Sequence, residues 1–480
     1  MSHDVLDRQR PAAAPCPAQP PGGTGVVLDR GVASGPIVSR AFLSIAMLEF
    51  WERFALSAVK SLLVLMLIDH VLVGDLSQVI GARTAFDAST RIFGPVSSTA
   101  LASQLYGYAN ALVYLAVPLG GVAGDLLGRR DALVAGGGAS MVGGLVLMLD
   151  DRFFLLGLVP FMLGAGVLKG NLSTAVGLLF TNEAERRRGY STYLGFLNAG
   201  VICGPLICGT LAAMVGPPYA IAAAALAVGL GLVPYLRHGR VDEAAGARVI
   251  ADAGAPGRRE AIALLGVALV ATYLCYAAYD QLGDVFLVWA RTHVDLRIGS
   301  ATMPVAWFLS LDGAITLALI VLSQAAFGAL ERRGRRVAAL EQIMAGGACC
   351  ALGYGVLALV SVGAGPAQVS MGWTLVYLLL VDAAIVLVWP SALSLIASLA
   401  PRTRVGSWTG LFYLHGFVAN LWVGFSSILY ERMPTTRFWL LHAAIAAVGA
   451  LLVLLVGRPL QRAWRDDQAT TTSAWAKASA

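Results

Sequence analysis

Charge is scarce in this 480-residue sequence: 13% of its residues are Asp, Glu, Lys or Arg, while 58% are hydrophobic and the mean hydropathy is +0.73. A soluble globular chain carries about 25% charged residues, so the composition excludes a soluble domain and describes a polytopic protein whose surroundings are the lipid bilayer. Lysine is rarer still, with only Lys60, Lys169 and Lys477; arginine is preferred everywhere else. Residues 1–40 lack the apolar h-region of a secretory signal. They are rich in Ala, Pro and Gly and read as a disordered arm. The six cysteines show no CxxC spacing, which excludes zinc and redox motifs and leaves buried small apolar residues as their reading. The histidines do not cluster, and only His415 falls deep in an expected helix, as a hydrogen-bonded core residue with a titrating group as the alternative. No nucleophile–base pair, metal spacing or nucleotide loop is present, so an enzyme is not expected.

A bilayer span needs about 20 apolar residues. By that measure the sequence predicts twelve, at roughly 41–69, 99–124, 131–149, 153–180, 190–215, 218–236, 260–290, 303–329, 338–363, 371–399, 405–430 and 437–457. The polar connection 237–259 divides them into two six-helix bundles, 41–236 and 260–457, between the N-terminal arm and a tail from 458 to 480. The expected fold is therefore an all-α membrane protein with the architecture of the major facilitator class. Arginine placement sets the expected orientation. Arg129, Arg130, Arg186–Arg188, Arg237, Arg240, Arg248, Arg258, Arg259, Arg332, Arg333, Arg335, Arg336, Arg402 and Arg404 fall in one set of connections. Arg83, Arg91, Arg152, Arg291, Arg297, Arg432 and Arg437 fall in the other. The positive-inside rule makes the first set, and both termini, cytoplasmic in the cell membrane. The basic runs read as these topology signals, and no nucleic-acid partner is implied. The 70–98 connection is expected on the outer side, as a cap or a loose loop.

Against this apolar background a few charges stand out. At about 100° per residue, Glu49, Glu52, Arg53, Leu56 and Lys60 share one face of the first span. A charge at mid-bilayer costs at least ~2.5 kcal/mol, and such residues mark an ion or substrate path. That face is therefore expected to line an interior in which carboxylates exchange protons as water access changes. Lys169 follows Gly164 and Gly166 and precedes Gly170 in the fourth span; the glycines predict close helix packing, and the lysine a partner for substrate or carboxylate. In the second half, Tyr276, Asp280 and Asp284 fall one turn apart on one face of span seven, with Asp312 in span eight and Asp382 in span ten. These acids are expected to meet the cations of spans one and four across a central cavity, as a gate. Between spans two and three, Asp125, Arg129 and Arg130 fit a conformational latch between the halves.

The segments carrying these residues resemble a known family. Glu49-x-x-Glu52-Arg53-Phe54 is similar to the ExxERF motif of proton-dependent oligopeptide transporters. Leu168-Lys169-Gly170-Asn171-Leu172-Ser173-Thr174 resembles FKPNIST, with Gly170 in place of proline. Tyr279-Asp280-Gln281, Trp389-Pro390-Ser391-Ala392-Leu393-Ser394 and Gly410-Leu411-Phe412-Tyr413-Leu414 resemble further motifs of that family, and Gly121–Arg130 resembles the general facilitator loop. The likeness covers roughly residues 41–430. It implies proton coupling through Glu49, Glu52, Arg53 and Asp280. It implies substrate contacts at Lys60, Tyr114, Lys169, Asn198, Tyr276, Asp312, Asp382 and Phe412, and gating at Asp125, Arg129, Arg130 and Asp284.

The resemblance implies a proton-coupled symporter importing short peptides or peptide-like solutes by alternating access, with the proton as coupling ion and no other cofactor. Export by proton antiport and a non-transporting receptor on the same fold are the alternatives. The departures concern the peptide clamp. Leu56 and Ser57 replace paired tyrosines, Phe412 replaces a pocket tryptophan, and Ile385 stands where a helix-ten glutamate receives a peptide amine, with Asp382 one turn earlier. Either Asp382 or Asp312 replaces the missing acid, or the substrate is no ordinary dipeptide.

Overall fold

The computed structural model describes residues 39–180, 183–239, 259–335, 337–400 and 405–462, without the side chains of 183, 184, 187 and 405–407. Most of the N-terminal arm, the 237–259 connection and the tail, together with Cys16 and Lys477, lie outside the described residues. Within them are twelve helices long and apolar enough to cross a membrane, one for each expected span. The N-terminal bundle comprises α1 (Arg40–Met66), α3 (Ser98–Leu127), α4 (Arg129–Leu149), α5 (Phe154–Leu178), α6 (Glu183–Met214) and α7 (Pro217–His238), with a short helix α2 (Ala82–Phe93) outside the spans. The C-terminal bundle comprises α8 (Arg259–Tyr279), α9 (Val285–His293), α10 (Trp307–Arg332), α11 (Ala339–Val360), α12 (Met371–Leu399), α13 (Val405–Arg432) and α14 (Thr435–Leu452).

Ser39 opens α1 as an N-cap, its Oγ accepting from the Phe42 N–H at 3.2 Å, and Ser97 does the same for α3. Apolar side chains such as Leu119, Val122, Leu206, Leu230, Leu322 and Leu455 remain exposed on the outside of the bundles. In water they would form a large apolar patch; against acyl chains they are matched to their solvent. Prolines inside α3, α5, α6, α7 and α12 are tolerated because neighbouring helices shield the freed backbone.

The glycines of α5 pack as expected. A Cβ on Gly166 would lie 2.4 Å from the Val113 carbonyl of α3, and one on Gly170 2.4 Å from that of Val117. Small residues thus let α3 and α5 touch backbone to backbone, and this contact fixes the depth at which Lys169 enters the interior. In the same way Gly200 and Gly204 of α6 seat on the Phe50 and Phe54 carbonyls of α1.

Span seven departs from the continuous helix expected. α8 stops at Tyr279, a 3-10 turn covers Asp280–Gly283, and Asp284 has a non-helical backbone (φ −126°, ψ −100°) before α9 begins. Asp280 and Asp284 therefore do not share a face. The 70–98 connection is folded. Ser89 of α2 donates to Gln104 of α3 at 2.7 Å, and Arg432 of α13 donates to the carbonyls of Phe93 and Pro95.

The two bundles are joined at the end opposite the arginine-rich connections. Asp69 pairs with Arg291, Ser97 bonds Glu431, and Trp307 Nε1 donates to the Leu206 carbonyl and Thr210 Oγ1. α3 and α13 cross so tightly that a Cβ on Gly107 would lie 2.5 Å from both the Asn420 carbonyl and the Gly424 nitrogen. At the arginine-rich end the bonds from Tyr190 to Ser173, Tyr273 to Leu411 and Ser391 to Gln342 each stay within one bundle.

Candidate functional site

Between the bundles lies a cavity of about 170 Å³. α1 supplies Arg53, Leu56, Ser57 and Lys60; α3 supplies Asn110, Val113 and Tyr114; α5 supplies Lys169; Val201, Leu309 and Asp312 complete the wall. One helical stripe of α1 thus faces the interior, as its spacing predicts. Glu49 and Glu52 sit one layer behind, 0% and 1% exposed. Arg53 bridges that layer to the wall: its Nε is 2.6 Å from Glu49 Oε1 and 3.1 Å from Glu52 Oε2. The second Glu49 oxygen accepts a hydrogen bond from the Tyr193 hydroxyl of α6. Glu52 has no hydrogen-bond donor on either oxygen among the described residues. Its charge is balanced through space by Arg53 and Lys169.

Lys169 holds its Nζ over the Tyr114 ring, 4.5 Å from the centroid. It lies within electrostatic reach of Glu52 and Glu49, but no carboxylate is within ion-pair distance of it among the described residues. A cation–π contact, worth up to about 2 kcal/mol when desolvated, holds the ammonium where a stronger anion can displace it. Lys60 faces Asp280 and Asp312. Asp280 itself is set back on the 3-10 turn, its Oδ2 accepting from Asn420 Nδ2 at 2.9 Å.

A family model of the Major Facilitator Superfamily matches residues 109–424, well over half of the chain. The chain belongs to that superfamily. Peptide transporter YePEPT of Yersinia enterocolitica subsp. palearctica serotype O:3 is 23% identical over 91% of this chain and 96% of that protein. The uncharacterized transporter YclF of Bacillus subtilis (strain 168) is 30% identical over 41% of this chain; that match spans only 37% of its own length. Among solved structures, a mutant of a peptide transporter POT in complex with alafosfalin superposes with a TM-score of 0.76, 20% identity and coverage of 90% of this chain and 96% of that one. Within the superfamily the similarity is to the proton-dependent oligopeptide transporters, as the motifs of α1, α5 and α8 imply.

Several residues of this facilitator lie elsewhere than expected. Asp382 is 0% exposed and off the wall, because it stands behind Asp312 on the neighbouring helix. Tyr276 and Phe412 are buried in a cluster of rings with Trp389 and His415, so neither meets the cavity. Asn198 spends its amide on the Leu194 carbonyl, one turn back in α6. The break after Tyr279 turns Asp284 away from the cavity toward Ser103 and Tyr106 at the α3 contact. Arg129 holds Asp125 at 2.9 Å and Asn171 at 3.3 Å, and Arg130 holds the Leu236 carbonyl. These contacts lie within the N-terminal bundle. His415 is a core residue, its Nδ1 on the Phe412 carbonyl. Sequence reasoning missed Tyr193, Asn110 and Asn420. Nothing local marks Tyr193 as a partner of Glu49, 144 residues away.

Proposed function

We propose that this facilitator is a proton-coupled symporter that brings short peptides or smaller peptide-like acids into the cell. The observation that carries the reading is Arg53. It is shared between two buried carboxylates at its back and faces a cavity whose other cations, Lys60 and Lys169, lack a carboxylate at ion-pair distance among the described residues. A substrate carboxylate entering between Lys60 and Lys169 competes for the same positive charge that Glu49 and Glu52 draw on. A proton on Glu52 compensates when that charge is withdrawn. Substrate and proton then bind together, which is the condition for symport. One charge moving down ~100 mV is worth ~2.3 kcal/mol, or roughly fifty-fold accumulation.

With the arginine-rich connections cytoplasmic, the closed end is the outer one, and the arrangement is the inward-facing half of a rocking cycle. On this reading both termini are cytoplasmic and the protein belongs to the cell membrane. The proton serves as the coupling ion. The cavity of about 170 Å³ is below the ~300–1,000 Å³ usual for a drug-sized ligand, so a peptide must spread the bundles on binding.

The test is uptake of radiolabelled dialanine, glycyl-glutamate and 5-aminolevulinate into proteoliposomes under an imposed pH gradient, with a pH dye in the lumen. Symport predicts concentrative uptake and substrate-triggered acidification of the lumen. Alkalinisation would instead make the protein an exporter, and binding without flux a receptor.

A further inference from the structure

Asp312 and Asp382 stand apart from the Glu49–Arg53–Glu52 group. Asp312 lines the cavity from α10, and its Oδ1 accepts from the Tyr279 hydroxyl at 2.8 Å. Its carboxyl lies within hydrogen-bonding reach of the Asp382 carboxyl on α12. Asp382 is 0% exposed, and neither of its oxygens receives a hydrogen bond from a protein donor among the described residues.

The groups that face the pair come from each helix around it. Tyr279 and Asp280 face it from the α8 end, Tyr377 from α12, and Lys60 from α1. Tyr377 gives its hydroxyl proton to Tyr354, so it does not serve Asp382. α6 meets Gly313 of α10 with the apolar Val201 and Ile202. Lys60 acts on Asp312; Asp382 has no cation in reach among the described residues. Two carboxylates have no hydrogen to offer each other, so their contact is attractive only when one carries a proton. Like charges in so small a space cannot both ionise.

We propose that Asp312 and Asp382 form a carboxyl pair that binds a single proton, with Asp382 as donor to Asp312. It is a proton site in its own right, on the opposite bundle from Glu49 and Glu52. The pair keeps one negative charge, carried by Asp312 toward Lys60. Loss of the shared proton would bring two anions together in a buried layer, and a second proton would remove the through-space attraction on Lys60. The pair's protonation state thus sets the charge that α10 presents to Lys60 of α1.

The experiment is infrared spectroscopy of the purified full chain in lipid, with and without carboxyl-¹³C aspartate. At neutral pH the wild type should show a protonated aspartate C=O band that moves with the label. D382N should lose one carboxyl equivalent of it, and D312N/D382N should lose no less. Glu52→Gln should leave that aspartate component unchanged. An aspartate band of equal size in wild type and double variant would overturn the pair. So would a wild type with no protonated aspartate at neutral pH, whether or not the variants insert. Neither measurement needs substrate or flux, so the result is independent of whether peptides are transported.

Discussion

Arg53 serves two carboxylates, and its two contacts are unequal. The 2.6 Å bond to Glu49 is reinforced by the Tyr193 hydroxyl, whereas Glu52 has the guanidinium only at 3.1 Å and no donor of its own among the described residues. The proton of the proposed symport is therefore assigned to Glu52, the less firmly held of the two. Glu52→Gln should abolish uphill uptake driven by a pH gradient, a fall of at least ~10-fold, or ~1.4 kcal/mol, while exchange of labelled for unlabelled substrate persists. Full concentrative uptake by the variant would remove Glu52 from the coupling role. Tyr193→Phe makes a different prediction. It strips a buried carboxylate oxygen of its donor, which costs about 1–3 kcal/mol. The expected readout is a lower unfolding midpoint in detergent than that of the wild type. A midpoint equal to wild type at every pH would show that the hydroxyl contributes nothing. The face of α1 was legible in the sequence because charge in an apolar run has few explanations. The partner Tyr193 was not, because a tyrosine near a helix end carries no mark of what it will touch.

Elements position these residues through contacts that only small side chains permit, and the sequence announced them unevenly. Gly164, Gly166 and Gly170 are closely spaced in an apolar run, so the close approach of α5 could be read from them. The break at Asp280–Gly283 could not. Gly283 alone is a weak signal, and what stabilises the turn is tertiary: Gln281 donates to Ser426 at 2.7 Å, Asn420 holds Asp280, and a Cβ on Gly283 would meet the Tyr106 hydroxyl. The crossing of α3 on α13 was equally silent, because Gly107 and Gly424 belong to spans far apart in sequence. Gly107→Val should make that crossing untenable, because the added carbon meets backbone at 2.5 Å, which no rotamer relieves. Overpacking of this kind costs about 1–3 kcal/mol. The cheapest relief is separation of the bundles at that end. Cysteines placed at Ser103 or Ser427, buried beside the crossing, should then react with a membrane-impermeant thiol reagent in the valine variant and not in its parent. Gly121 has nothing within 4 Å of an added Cβ. Gly121→Ala should leave labelling unchanged and, as a helix-interior glycine replacement, stabilise by up to about 1 kcal/mol.

At the scale of the whole molecule, one end is held shut by two unlike kinds of contact, and magnitudes rank them. The Asp69–Arg291 pair is half-exposed, with side chains 45% and 32% accessible. Such pairs are worth roughly 0–1 kcal/mol. The packed crossing around Gly107, Asn420 and Gly424 is dry and backbone-to-backbone, so its disruption is worth several times more. A rocking transporter needs its two states within a few kcal/mol of each other. The exposed pair can then trim the balance, while the crossing decides it. Arg291→Ala should shift the ratio of closed to open populations at that end by less than about 5-fold, and Gly107→Val by roughly 5–150-fold. Spin labels at Gln78 and Ala301, one exposed site on each bundle at that end, would read this as the fraction of long distances in a pulsed dipolar measurement, on a background without native cysteines. A larger shift from the arginine variant than from the valine would mean that charge, and not packing, holds the end closed. The two bundles would then part by loss of ion pairs and not by a rigid rocking of α3 against α13.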